Sequence, residues 1–288
     1  MFKITKDIIK KVYFPRPVDS HKYDRGLLLV IGGGQFYTGA PALSAMAALR
    51  AGVDMAQVLA PKRAADIIAS FSPNLAAYPL QGDWLDMEDV PSLLSFTKAA
   101  QQTAGAKTAV VIGGGLGRTE ETKKAVNEYL QQIRTKLVID ADGLHAVAIQ
   151  KDLLKGKNYI LTPNLFEFFI LTGKKIDEFS FEDKIQAVKD EAQKLGCIIL
   201  LKGAKDIISD GQEVAIDESG TPYMAIGGTG DTLAGICGSL LAQDIEPFLA
   251  AQAGSYINGK AGEAAAKKFG QGMVATDLVE EIANVIKF

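Results

Sequence analysis

Little in this chain is available for disulfide or metal chemistry. The two cysteines in 288 residues, Cys197 and Cys237, sit inside the apolar runs LGCIILL and AGICGSL and form no C-x-x-C pair. They read as buried free thiols of a reducing cytosol, not as a disulfide or a zinc site. No apolar run reaches the roughly 18–20 residues that span a membrane. The opening MFKITKDIIKKVY alternates charge with apolar residues and lacks a signal-peptide core. A net charge of -3 gives no basic field, so neither nucleic acid nor an anionic membrane is an expected partner. Lys123-Lys124 and Lys267-Lys268 read as solvated helix faces. No Pro/Ser-rich linker, repeat or low-complexity block interrupts the sequence. These absences leave a cytoplasmic enzyme or binding protein in one domain, 1–288.

What is present is an alternation of short apolar runs with helical patterns. GLLLVI (26–31), MAQVLA (55–60), LAAYPL (75–80), TAVVIG (108–113), KLVID (136–140), YILT (159–162) and CIILLKG (197–203) are continuously apolar. Strands of that kind belong to a parallel sheet covered on both faces. Helical periodicity appears over Pro41–Ala51, Thr122–Ile133 and Asp183–Leu195. Beyond Lys202 come two short strands, DIIS (206–209) and EVAID (213–217), with turn signals at Asp210-Gly211 and Ser219-Gly220. Helices are expected over Asp231–Gln243, Phe248–Phe269 and Ala275–Ile286. The pattern is that of a doubly wound α/β protein, whose binding crevice lies at the carboxyl ends of its strands.

The strand ends carry the unusual residues. GGGQFYTGAP (32–41) departs from G-x-G-x-x-G, and the next strand ends in Pro61 and Lys62 without an acid for a ribose, so a dinucleotide fingerprint is weak. The absence of G-K-[ST] excludes a P-loop. GGGLGR (113–118) reads equally well as a turn or a ligand loop. Asp140 and Asp142 would cap a short helix starting near Leu144, or hold Mg²⁺ through water. His145 reads as a surface or core-edge residue. In TPNLFEF (162–168), Asn164 and Glu167 suit a capping box before the helix Leu165–Leu171, and they could also face the crevice.

GGTGD (227–231) is the strongest local signal. Its three glycines bare backbone N–H groups where Asp231 is expected to open an apolar helix. The helix dipole would lower the carboxyl's pKa, keeping Asp231 ionised at pH 7. An ionised acid repels phosphate, yet it can take the proton of a hydroxyl attacking one while the N–H groups receive the transferred charge.

Taken in order, DRG (24–26), GAP…A-A-L-R-A-G (39–52), GGGLGR, DADGL (140–144), TPN-x-x-E-F, KGAKD (202–206), GGTGD-T-L-A-G and VATDLVEEI (274–282) resemble the NAD(P)H-hydrate dehydratase family of the ribokinase-like superfamily. The resemblance implies a three-layer α/β/α fold with a central, mostly parallel sheet and no separate lid domain. It implies ADP- or ATP-dependent dehydration of the S form of NADH or NADPH hydrate, through phosphorylation of the hydroxyl and loss of phosphate. Asp231 would be the base, with Gly228, Thr229 and Gly230 as anion hole. Lys202, Gly203, Ala204, Lys205 and Asp206 would line the nucleotide site together with Gly230. Ala40, Gly115, Gly117 and Asn164 would contact the hydrated cofactor. Glu167 and Asp140 are the candidates for water-mediated Mg²⁺ binding. The family's bacterial ADP-dependent pattern has T-P-H-P-G-E where this chain has Asn164, as eukaryotic ATP-dependent members do, whereas GGTGD has the bacterial form; on balance ADP is slightly preferred. GGGLG replaces the commoner G-P-G-L-G. With Tyr23 already near the first strand, an epimerase partner is expected as a separate protein. A homo-oligomer is compatible with the apolar N-terminal segment and the Ala-rich helix 248–266. The alternatives are an ATP-dependent small-molecule kinase of the same superfamily, acting on hydroxyethylthiazole, hydroxymethylpyrimidine or a sugar, and a catalytically silent nucleotide-binding protein.

Overall fold

Ten strands form one sheet in the computed structural model, which describes residues 1–287. They are β1 (Phe2–Lys3), β2 (Leu27–Ile31), β3 (Met55–Pro61), β4 (Ala76–Leu80), β5 (Thr108–Ile112), β6 (Lys136–Ile139), β7 (Ile160–Leu161), β8 (Ile198–Leu201), β9 (Asp206–Ser209) and β10 (Val214–Asp217). The order across the sheet is β1-β10-β9-β8-β7-β6-β5-β2-β3-β4. Only β9 runs antiparallel, against β8 on one side and β10 on the other.

The pleat explains why these runs are apolar throughout. Along β2, Leu28 and Val30 enter one core, with the helices Gly39–Arg50, Thr229–Ala242 and Pro247–Phe269. Leu27, Leu29 and Ile31 point the other way, toward the helices Val90–Ala104, Glu120–Gln132 and Phe181–Leu195. Alternate residues therefore feed two cores, and a polar residue on either face would be buried. The result is the expected three-layer α/β/α arrangement.

Helix ends follow local chemistry. Thr119 and Ser180 accept backbone N–H bonds from Thr122 and Asp183, and Gly196 closes the second of these helices at φ 65°. Cys197 and Cys237 are both free and buried. Among the described residues, no helix is long and apolar enough to cross a membrane.

β9 and β10 pair into the main sheet, and the two residues of β1, absent from the sequence reading, extend it by pairing parallel with β10. A two-residue strand bearing Lys3 has no apolar run to announce it. The short helix beyond β6 starts at Ala141, not near Leu144. The GGTGD helix starts at Thr229, which makes Asp231 its third residue.

Candidate active site

The strand order reverses direction around β2, which lies between β3 and β5. Such a switch point opens a crevice, because consecutive connections leave it on opposite sides. The glycine loops after β2 and β5 meet there, joined by a 2.8 Å bond from Gly33 N–H to the Gly114 carbonyl. Gly114 lies against the Asp231 carboxylate, so a Cβ there would stand 2.5 Å from Asp231 Oδ1 and 3.3 Å from Ala40 Cβ. Gly115 is also closely packed, a Cβ there standing 2.9 Å from Tyr37 Cβ and 3.5 Å from Ala40 Cβ. Ala40, Gly115 and Asp231 thus converge on one side of the crevice.

The Thr229–Ala242 helix enters from Gly228, at φ 99°, with no side chain capping it. Its first-turn N–H groups are therefore available to an anion. A Cβ on Gly228 would lie 2.6 Å from Leu43 Cδ1, so the glycine also permits close packing. Asp231 is anchored from behind, its carbonyl accepting a 2.9 Å bond from Ser44 Oγ. The Thr229 hydroxyl donates to the Met224 carbonyl at 2.9 Å, so it secures the preceding loop.

Gly230, one residue before Asp231, faces another cluster: its Cβ position is 3.3 Å from Lys202 Nζ and 4.0 Å from Asp140 Oδ2. Lys202 donates to Asp140 Oδ1 at 2.8 Å, which also accepts from Thr162 Oγ1 at 2.7 Å, and it lies 3.6 Å from Glu167 Oε2. Burial opposes the charge on Lys202, but Asp140 and Glu167 outweigh it and raise its pKa. Burial likewise raises the Glu167 carboxyl, against the pull of Lys202.

The same effects overturn the expected ionisation of Asp231. Burial, reinforced by the charge of Asp140 and opposed by Lys202, pushes its carboxyl up to about 7. Three neighbouring acids and loss of water outweigh the helix dipole. Half of such a population is ionised at neutral pH, which suits a group that must both accept and release a proton.

Asn164 and Glu167 form the expected capping box, with bonds of 2.9 Å and 2.8 Å. Glu167 also joins the Lys202 cluster, while Asn164 is an exposed rim residue. Asp140 occupies the N-cap position without a side-chain cap bond, which frees its carboxyl for Lys202 and Thr162. Among the described residues, no group of three or more His, Cys, Asp or Glu side chains forms a metal cage. A cation there would depend on waters and phosphate oxygens, and Asp140 Oδ2, facing Gly230, fits that donor set.

Beyond Gly230 a cavity of about 430 Å³ is walled by Lys202, Gly203, Ala204, Asp206, Ser255 and Asn258, among others. Gly203 N–H donates to Asp206 Oδ1 at 2.9 Å, fixing the KGAKD turn. Lys205 stands apart from this wall, paired with Glu218 at 2.7 Å and lying over the Phe181 ring. Ser255 and Asn258 escape a sequence reading because they interrupt the small-residue stripe AAQAGSYINGKAG, which reads as core. Trp84 escapes it too, and Asp142 has a partner that the sequence does not show. The indole edge meets both Gly34 and Gly117, and Asp142 Oδ2 accepts from Gly117 N–H at 2.9 Å. His145 lies outside the cluster, its ring 6.0 Å from Phe166.

Residues 28–284 match the family described as NAD(P)H-hydrate dehydratase. A bifunctional NAD(P)H-hydrate repair enzyme of Pyrobaculum aerophilum is 40% identical over 95% of this chain and 53% of its own length. The chain thus spans about half of that relative. An ADP-dependent (S)-NAD(P)H-hydrate dehydratase of Nitrosopumilus maritimus is 36% identical, over 99% of this chain and 96% of its own. A ribokinase-like superfamily protein of Enterococcus faecalis superposes with a TM-score of 0.83 at 26% identity, covering 99% of this chain and 94% of that one. The ADP/ATP-dependent NAD(P)H-hydrate dehydratase of Bacillus subtilis, co-crystallised with ATP and Mg²⁺, shares the fold at a TM-score of 0.76 and 22% identity, covering 98% of each chain.

Proposed function

Because the chain belongs to the NAD(P)H-hydrate dehydratase family, we propose that it dehydrates the S form of NADH or NADPH hydrate at the expense of ADP or ATP. The observation that carries this reading is the division between two adjacent residues. Asp231 faces Gly114 and Ala40, whereas Gly230 faces Lys202 and Asp140. A substrate hydroxyl on the first side and a terminal phosphate on the second would meet across the helix start.

Asp231 takes the proton of the hydroxyl as its oxygen bonds to the terminal phosphorus, and the bond to the AMP or ADP oxygen breaks. The N–H groups of Thr229, Gly230 and Asp231, with Lys202, receive the charge on the transferring group. Phosphate then leaves the ring carbon, an adjacent carbon gives up a proton, and the ring double bond returns. Mg²⁺ bound with the nucleotide would neutralise phosphate charge, and Asp140 and Glu167 would hold it through water. Lys202, Gly203, Ala204 and Asp206 would wall the nucleotide, with Lys205 at its outer edge. Gly115, Gly117, Ala40 and Asn164 would contact the hydrate.

The name of the Nitrosopumilus relative supports ADP as donor. We place the activity in a single domain, 1–288, in the cytoplasm, where buried free thiols persist. An epimerase that interconverts the two hydrate forms is the functional partner. The test is to incubate the protein with NADH hydrate, Mg²⁺ and either nucleotide while following the reduced-nicotinamide absorbance. Recovery with ADP or ATP supports the dehydratase. No recovery with either, together with phosphorylation of a small alcohol, would favour the kinase reading.

A further inference from the structure

The wall of the nucleotide cavity contains more hydrogen-bond acceptors than protons. Ser255 Oγ lies 2.8 Å from Asp206 Oδ2 and 2.8 Å from Asp217 Oδ2. A serine hydroxyl carries one hydrogen and can donate to only one of them. Two ionised carboxylates on either side of it would leave one short oxygen–oxygen contact without a proton, in a site where Asp217 is 2% exposed. One carboxyl must supply the second hydrogen.

The surrounding bonds say which. Asp217 already accepts from Ser219 Oγ at 2.6 Å and from Ser219 N–H at 3.1 Å. Asp206 accepts one other bond, from Gly203 N–H at its opposite oxygen. The better-solvated charge therefore belongs to Asp217. We propose that Ser255 is a positioning residue of the nucleotide wall, joining the two acids through one shared proton held on Asp206. The chain runs from Asp206 Oδ2–H to Ser255 Oγ, and from Ser255 Oγ–H to Asp217 Oδ2. It ties the KGAKD turn, through Gly203, to β10 and to the Pro247–Phe269 helix.

The groups facing Asp206 are Gly203 N–H, Lys202, Asp217 and Ser255. Lys205, the nearest other cation on the loop, is engaged by Glu218. Burial, with the charge of Asp217 adding to it, pushes the Asp206 carboxyl up to about 6, in keeping with the chain. Loss of the proton puts a second negative charge into the wall that receives an anionic nucleotide. This consequence for the nucleotide rests on the function proposed above.

The experiment measures ADP dissociation constants and melting temperatures at about pH 5 and about pH 8 for wild type, Asp206→Asn, Asp217→Asn and Ser255→Ala. An asparagine at 206 keeps a donor toward Ser255 at every pH. The wild-type constant divided by the Asp206→Asn constant should therefore rise about tenfold from low to high pH, and the ratio cancels the nucleotide's own titration. The wild-type melting temperature should fall further across this range than that of Asp206→Asn, because the raised carboxyl of Asp231 lowers both alike. Ser255→Ala should weaken ADP more than it slows saturated turnover, and Ser255→Thr should restore it. A ratio that stays within about twofold overturns the shared proton. If Asp217→Asn gives the rise and Asp206→Asn does not, the placement on Asp206 is wrong. Should Asp217→Asn fail to fold, the other variants still decide the matter. Wild type that binds neither ADP nor ATP would instead sink the nucleotide reading, leaving the melting temperatures to judge the proton.

Discussion

The Lys202 ammonium stands 2.8 Å from Asp140 Oδ1, at the edge of an acidic group that also includes Glu167 and Asp231. It is the cation that stops these acids from raising each other further. Replacing Lys202 by methionine removes the one contribution from this cluster that lowers the Asp231 pKa. The acid limb of kcat/KM should move to higher pH, and the KM for ADP should rise by about tenfold or more. A pH–rate profile of the variant that overlays wild type would contradict this.

As the proposed base of the wild-type protein, Asp231 must be ionised to accept a proton. A carboxyl raised to about 7 is largely protonated at pH 5 and becomes active as pH climbs. The kcat/KM profile, which reports the free enzyme, should therefore rise through about pH 7 and not near 4. Initial rates from about pH 5 to 9, at fixed ionic strength, measure this directly.

Asp231→Asn should lower turnover by about 10²–10⁴-fold, the range for removal of a general base. Nucleotide affinity should change far less, because the anion site is built from backbone N–H groups. Calorimetric ADP titration of the variant beside its rate separates the two effects. Turnover close to wild type would remove Asp231 from the base role.

Gly114→Ala places a methyl group 2.5 Å from Asp231 Oδ1. The carboxylate can swing aside, so the melting temperature should move little. The displaced base should cost about tenfold to a hundredfold in kcat. Comparable losses of stability and activity would argue for a merely structural glycine.

Trp84 is the only tryptophan in the chain, and its ring edge contacts both Gly34 and Gly117. Its emission overlaps the absorbance of reduced nicotinamide. NADH or NADPH bound between these loops should quench it, with sensitised cofactor emission, whereas ADP alone should not. Trp84→Ala should cost about 2–4 kcal/mol through the lost packing and raise the substrate KM. Equal quenching by ADP would place the cofactor elsewhere.

Much of this arrangement is legible before any coordinates. The continuous apolar runs announce β2, β3, β5 and β8 as buried parallel strands, since both of their faces meet helices. The three glycines before Asp231 mark a bare helix start, and Asn164 with Glu167 reads as a capping box and is one. What stays hidden depends on contacts between distant segments. The pKa of Asp231 is set first by burial and then by Asp140, Lys202, Asp142 and Glu167, none of which is near it in sequence, so a local dipole argument gave the wrong sign. Ser255 looks like one more small residue in an alanine-rich helix until Asp206 and Asp217 close on it. Trp84 carries no motif at all, and only the fold brings it to Gly34 and Gly117.

Gly235, one turn behind Asp231, has its own consequence. A side chain there would collide with the backbone of Ser44, on the helix that begins at Gly39 and carries Ala40. The approach of the helix carrying Asp231 to the helix carrying Ala40 is consequently set by a side chain that is missing: one methyl group at Gly235 would push the two helices apart.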